Sequence, residues 1–502
     1  DAEQWTANYT LSVNRYAAPD RSENELTRDE IPAAGGNTTQ HRYTNRSRIS
    51  DSHYDREGMN ATARLQLKGD PGETFTLMPF VALSQGSTSG SIYANQTSTG
   101  YLPLTNGSTT ANTKNDNHFA VARLNGQWRR KLSADSNMEW KFNVGGWNSH
   151  NEFQQTTGNF LLLPSATENS HVQDRSANLS GKYTNVMGGG HQWVSGAETE
   201  SVRRTQEVVG AYQTIPGSAD YKASSMRYAM YSQDEWQLTP HWATHAGARY
   251  EGLSTQGNTA TGDVTNHNSV FTPLLHAMWR PDPDSRDQIR MSLTRSFKTP
   301  TMPSLLARRT YTRDDNSATN PDVSGNPNLK PEIATGLDVA VERYLPQGGV
   351  LSASAFHRRV QNLIRNVTTY GPVPGVPGMS RWLSSPQNIS EAITEGVELE
   401  AKFRLDQWMD DAPHIDLRNN LSFYRSRVLS IMGPDNRLDQ QPSMTANLGA
   451  DYRLKTVPLT VGGNVNYNPG YTTRLSAEQL ATVSQKRVMD VYGLWRVDGS
   501  TA

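Results

Sequence analysis

Arg308, Arg309, Tyr311 and Arg313 stand close together in one polar stretch of the chain. Guanidinium forks grip planar anions, and an aromatic face stacks on rings and attracts cations. This set suits an anionic, ring-bearing ligand. The same side chains would equally form a solvated charge patch or touch lipopolysaccharide, and Asp314 and Asp315 beside them offset part of the charge. His53, His118, His171 and His267 are scattered and lack the spacing of a metal site. Gly188, Gly189 and Gly190 have no following helix with which to cradle a phosphate. No nucleophile and base are set out as a catalytic pair. The chain therefore reads as a non-enzyme, with no catalytic residue, no metal ligand and no cofactor. Its net charge of −1 gives no reason to expect a nucleic-acid partner.

The elements that must carry these residues are strands. Met59, Ala61, Ala63, Leu65 and Leu67 interleave with Asn60, Thr62, Arg64, Gln66 and Lys68. The same alternation runs from Met138 through Trp140, Phe142 and Val144, from Met444 through Leu448 to Tyr452, and from Trp5 to Val13. A period of two gives a strand one oily and one wet face, whereas a helix needs apolar residues three and four apart. Turn-forming residues recur at 69–72, 133–136, 187–190, 239–240, 281–284, 346–349 and 455–458. Between these turns lie long polar connections, expected at 17–57, 86–116, 150–172, 204–223, 253–268, 299–331, 361–392, 429–443 and 468–486. The pattern predicts about 18 strands, with ends good to a few residues. Strands joined alternately by tight turns and long loops describe a transmembrane β-barrel, turns at one rim and loops at the other.

The apolar fraction is 35% and no run of about 18 apolar residues exists, so no helix spans a bilayer. A barrel escapes that test, because only alternate residues face lipid. The mean hydropathy of −0.69 follows from the long polar loops. The chain has no cysteine, which fits a bacterial envelope protein without disulfides. Its character never changes, so residues 1–502 read as one domain. Trp128, Trp140, Trp193, Trp236, Trp242, Trp279 and Trp408, with Tyr344 and Tyr452, sit near the short turns, as an interfacial aromatic girdle would. The wet faces carry Arg64, Glu139, Lys141, Arg290, Lys298, Asp338, Glu342, Glu398, Glu400, Lys402, Arg404, Asp416 and Arg418. Around 16 strands or more leave a lumen that side chains alone do not fill.

Three stretches resemble TonB-dependent outer-membrane receptors of the siderophore-receptor kind. The first is Ser296-Phe297-Lys298-Thr299-Pro300, followed by Pro303 and Leu305-Leu306, and the second is Asn326-Pro327-Asn328-Leu329-Lys330-Pro331-Glu332. The third is the strand around Gly396 and Glu398. Pro327 and Pro331 restrict the backbone where a loop re-enters the sheet, so the second run reads as mainly structural. The resemblance implies a bacterial outer-membrane location, short periplasmic turns, long extracellular loops and a barrel of about 22 strands around a plug domain. On that reading the plug is absent from 1–502 and terminal barrel strands are missing. It further implies active import of a scarce nutrient, energised by TonB through the plug. Iron would enter only as part of the transported chelate. Receptors for haem in this family commonly carry a histidine between the first two stretches; 299–331 has none, which directs the expectation to a ferric siderophore. Other expected contacts are the outer-membrane lipid and lipopolysaccharide. A passive porin-like channel and a soluble β-repeat binding protein are the alternatives. The irregular spacing of the connections counts against the repeat protein.

Overall fold

The computed structural model describes residues 4–30, 42–100, 106–158, 163, 165–212, 215–259, 262–312, 316–345, 348–374, 376–409, 411–475 and 480–496. Its first ten strands are β1 (Trp5–Glu30), β2 (Arg42–Lys68), β3 (Glu73–Gly100), β4 (Gly107–Lys131), β5 (Ser136–Thr157), β6 (Ala166–Met187), β7 (His191–Tyr212), β8 (Ile215–Gln237), β9 (Trp242–Thr259) and β10 (Gly262–Trp279). After β11 (Gln288–Lys298) come the one-turn helix α1 (Met302–Leu305) and the two-residue strand β12 (Asp322–Val323). The wall resumes with β13 (Glu332–Tyr344), β14 (Val350–Pro372), β15 (Ser380–Arg404), β16 (Ile415–Val428), β17 (Met444–Arg453) and β18 (Leu459–Asn468). A small hairpin, β19 (Tyr471–Arg474) and β20 (Leu480–Val483), precedes β21 (Lys486–Trp495).

One sheet holds 19 strands; without the short β12, 18 long antiparallel strands remain among the described residues, matching the expected number. Each long strand pairs with its neighbours in sequence, from β1 with β2 to β18 with β21. β1 and β21 pair on one side only, so the sheet has two edges among the described residues.

Alternation sets the two faces. Val144, Leu179, Met230, Phe271, Leu293, Val397 and Leu448 are all exposed, as an apolar band facing lipid requires. Trp140, Trp193, Trp236 and Trp242 are exposed near the turn end, and Trp242 pairs across strands with Trp279 at 6.2 Å between ring centroids. The opposite face carries charge in neutralised groups. Arg227 meets Glu200 at 2.9 Å and Glu251 at 3.1 Å. Arg358 meets Asp338 at 3.1 Å, and Arg290 pairs with Glu342.

The loops differ from the sequence reading. Five of the expected connections are mostly strand: 17–57 shrinks to 31–41, 86–116 to 101–106, 150–172 to 158–165, 204–223 to 213–214 and 253–268 to 260–261. Likewise 361–392 shrinks to 373–379. Beyond the bilayer the outer face is wet and the inner face is buried largely among polar side chains, such as Arg46 with Gln96 and Thr44 with Ser98. The backbone ladder therefore continues while the apolar alternation that marks a strand in sequence stops. A further turn-end connection, 405–414, was not among the expected turns. It contains a 3-10 turn over Leu405–Gln407 rather than a Gly- or Pro-rich reversal.

Candidate functional site at the mouth

The connection 299–331 keeps its predicted loop character and packs inward. Thr301 caps α1, its hydroxyl accepting the Ser304 N–H at 3.4 Å. The turn drives Leu305 and Leu306 into a buried cluster with Leu329 and with Ala223 of β8. Leu329, from the Asn-Pro run, is fully buried.

The rest of that run is held by backbone and amide hydrogen bonds. The Asn326 N–H donates to Ser304 O at 2.7 Å, and Asn326 Nδ2 donates to Pro386 O of β15 at 3.0 Å. Asn326 Oδ1 accepts the Asn328 N–H at 2.9 Å. Asn266 of β10 donates to Pro327 O at 2.6 Å. Asn388 accepts the Lys330 N–H at 2.8 Å and donates back to Lys330 O at 2.9 Å. Asn362 Nδ2 donates to Pro331 O at 3.5 Å, while Glu332 accepts the Ile364 N–H at 2.7 Å and pairs with Lys298 at 3.4 Å. Gly257 of β9 lets the run approach: a Cβ there would lie 2.8 Å from Pro327 Cβ. Phe297 and Pro300 close the strand that leads into this loop, and Gly396 and Glu398 lie remote from it on β15. Gly396 makes room for Phe356, and Glu398 accepts from the Tyr424 hydroxyl at 3.3 Å.

Asp322 lies at the centre of the loop, fully buried. Arg309 donates to it through Nε at 3.0 Å and Nη2 at 2.9 Å. Arg381 of β15 donates through Nε at 2.9 Å and Nη2 at 2.8 Å. The Thr312 N–H adds a bond at 3.1 Å and Asn316 Nδ2 one at 3.3 Å. Burial would push the Asp322 carboxyl up, but the hydrogen bonds from Arg381, Thr312 and Arg309 outweigh it and hold it below the usual carboxylate range. Both guanidiniums also lie over the Tyr311 ring, Arg309 at 5.5 Å and Arg381 at 5.6 Å. Burial pushes the Tyr311 phenol up.

The structure thus brings Arg308, Arg309 and Tyr311 together, but gives two of the three a carboxylate. Arg308 pairs with Glu168 of β6 at 2.7 Å, and Arg309 shares Asp322 with Arg381. Tyr311 packs against Phe153 of β5 and Ala166 of β6. Arg313 lies outside the described residues, as do Asp314 and Asp315. Asp322, Arg381 and Glu168 were not read from the sequence as part of this site. Arg309 and Arg381 reach Asp322 from 13 and 59 residues away, so no local spacing marks the group.

The loop therefore touches β5 and β6 on one side and β10 and β15 on the other. A second loop, 429–443, is anchored by Arg365 of β14, which donates to Asp439 at 3.1 Å and to Arg474 O at 2.7 Å. A cavity of about 1070 Å³ lies along the inner wall, lined by Arg290, Asp338, Phe356, Arg358, Glu398 and Tyr424, with Leu438 and Gln441 of the second loop. His245 stacks on His276 there at 5.4 Å and keeps a buried Nε2 without a hydrogen-bond partner. Among the described residues no group of side chains is arranged to hold a metal ion.

Comparison with known proteins agrees with this architecture. The iron-regulated outer membrane virulence protein of Vibrio cholerae is 21% identical over 489 residues, covering 93% of this chain and 64% of that protein. The chain thus spans less than two thirds of that relative's length. Among solved structures, the copper transporter OprC matches with a TM-score of 0.61 at 14% identity, over 99% of this chain and 73% of that one. The ferripyoverdine receptor of Pseudomonas aeruginosa matches with a TM-score of 0.58 at 11% identity, over 99% and 66%. At such identities these structures speak for the fold. The model of the TonB dependent receptor-like β-barrel matches residues 6–500, a family of outer-membrane receptors rather than enzymes, and the chain belongs to it.

Proposed function

We propose that this barrel is the wall of an importer that receives a ferric siderophore at its extracellular mouth and passes it inward with energy from TonB. The observation that carries the reading is the loop 299–331, which docks on β5 and β6 and on β10 and β15, together with a cavity of about 1070 Å³ on the inner wall lined by both charged and apolar side chains. A loop so placed narrows the entrance, and a narrowed barrel suits selective uptake better than free diffusion. Arg308, Arg309, Tyr311 and Arg313 are the contacts we assign to an anionic chelate, with Arg381 added from the far strand. Arg309 and Arg381 already neutralise Asp322, so their contribution to an anion is shared with that carboxylate. The plug domain, the TonB contact and further strands pairing with β1 and β21 belong to the same reading, since unpaired backbone is not tolerated in lipid.

Binding to the full-length protein, and growth rescue under iron limitation, are the tests. The panel is catecholate and hydroxamate ferric siderophores, haem, cobalamin and copper. Rescue by a ferric siderophore that disappears without TonB is the expected result. Uptake of cobalamin or copper alone would sink the siderophore reading, and uptake unaffected by loss of TonB would favour a passive channel.

A further inference from the structure

Arg175 of β6 and Arg203 of β7 are register partners. By alternation they point to the same side as the exposed Leu179 and Trp193, which is the lipid-facing side. Arg175 lies just beyond the apolar stretch, toward the loop end, and both arginines are exposed. Neither guanidinium forms a hydrogen bond or ion pair with the described residues. The adjacent Asp174 belongs to the inner face, where it takes Arg204 at 2.7 Å.

Like charges directly opposite one another on a sheet destabilise it. Elsewhere on the outer face charges have opposite partners: Arg15 pairs with Asp55 at 2.7 Å, His357 with Glu395 at 3.4 Å, and the opposed Asp116 and Glu152 pair with Lys114 at 2.6 Å and His150 at 3.1 Å. The Arg175–Arg203 pair instead borders a groove of about 570 Å³ on the outer wall. Ala122, Gly146, Ala177 and Ser201 line it. At Gly146 the floor is bare backbone, since a Cβ there would lie 2.2 Å from Asp174 O. His118, His150 and His171 are successive register partners above the groove, toward the loop end.

We propose that this outer face binds a phosphorylated, acylated lipid of the outer leaflet. The phosphate sits between Arg175 and Arg203, and an acyl chain lies along the groove at Gly146. Guanidinium pairs match phosphate oxygens in geometry and charge, and a lipid phosphate removes the repulsion between the two arginines. The apolar stretch below the arginines and their place at its upper border select a membrane lipid over a soluble anion. The proposal rests on the outer-membrane placement of the family and is independent of which nutrient is imported.

The test uses the purified full-length receptor in detergent and native mass spectrometry. The probes are acylated, bis-phosphorylated lipid A, its dephosphorylated form and inorganic phosphate. The wild type is expected to retain the phosphorylated lipid selectively. R175Q/R203Q should weaken retention about 30-fold, from roughly 1 kcal/mol for each charge near a membrane surface. R175K/R203K should keep most of the retention, and A177F, which fills the groove, should lose it with both charges in place. Heat-modifiable gel mobility verifies that each variant is folded. Equal retention by folded R175Q/R203Q, equal binding of dephosphorylated lipid, or displacement of the lipid by equimolar inorganic phosphate would each overturn the proposal. Lipid binding is read without transport, so its failure is distinct from failure of the import reading.

Discussion

Beyond the membrane-crossing stretch, the chain builds its loop end in two ways. On β1 to β4 it simply prolongs the strands, to 26, 27, 28 and 25 residues. On the side of β16 to β18 the strands stop at 14, 10 and 10 residues, and chain is given to packed loops. On β1 the prolonged strand is held by its backbone ladder and exposed charge pairs, such as Arg21 with Glu23 at 2.9 Å, while β2 to β4 add a small buried face with Arg46 donating to Gln96 at 2.8 Å and Ile92 beside Ala94 and Ala111. The loop 299–331 has little ladder and depends on buried side chains. A backbone ladder tolerates almost any side chain, whereas a packed loop depends on a few. The packed side of the mouth is therefore the side where single substitutions should register.

The largest effect is expected at Asp322. Asp322→Ala leaves Arg309 and Arg381 buried without their carboxylate, and removing one partner of a buried ion pair costs about 3–5 kcal/mol. Proteolysis within 299–331 should accelerate sharply while the wall stays resistant; unchanged protection would show that the arginines find other partners. Leu329→Ala should follow. Truncating a fully buried leucine costs about 2–5 kcal/mol, and the loss should appear as faster amide exchange at Leu305 and Leu306.

Acid is a graded form of the first test. The Asp322 carboxyl is held below its ordinary value, so the stability it contributes is present at neutral pH and is lost as pH falls through the depressed folded value. Protection of the loop should be level from pH 7 to about 5 and fall away below the ordinary carboxylate value of about 3.9. Loosening at pH 6 would point to a different titrating group. The smallest effect is expected on the other side of the comparison. Arg21→Ala removes exposed pairs on a ladder of unaltered backbone and should leave the thermal midpoint of the barrel unchanged. A clear drop would mean that the prolonged strands depend on side chains after all.

The membrane-crossing part of the fold was legible because lipid forces the period-two signal: Val397, Leu399, Val339 and Val341 all face outward, and each has a charged neighbour in Asp338, Glu342, Glu398 or Glu400. The prolonged strands were not legible, because the face they bury is half polar, with Gln96, Ser98 and Thr109 beside Ile92, Ala94 and Ala111, so its burial leaves no apolar alternation in the sequence. At the mouth, residue types were enough to single out Arg308, Arg309 and Tyr311. Their partners were not, because Asp322, Arg381 and Glu168 come together only through tertiary packing. The aromatic residues near the turns were legible for the opposite reason, since a bilayer interface selects them wherever a strand ends.

The hydrogen bond from Arg365 to Arg474 O joins residues 109 apart in the chain. Nearly every contact in the wall joins strands adjacent in sequence, so each pairing closes only a short stretch of chain. Loop-closure entropy then separates two timescales: the wall assembles hairpin by hairpin, and the long-range contacts of the mouth form on an already ordered frame. Pulse-labelled exchange during refolding into detergent should protect amides of β2 to β9 before those of 299–331. Simultaneous protection would mean instead that the mouth takes part in nucleating the wall.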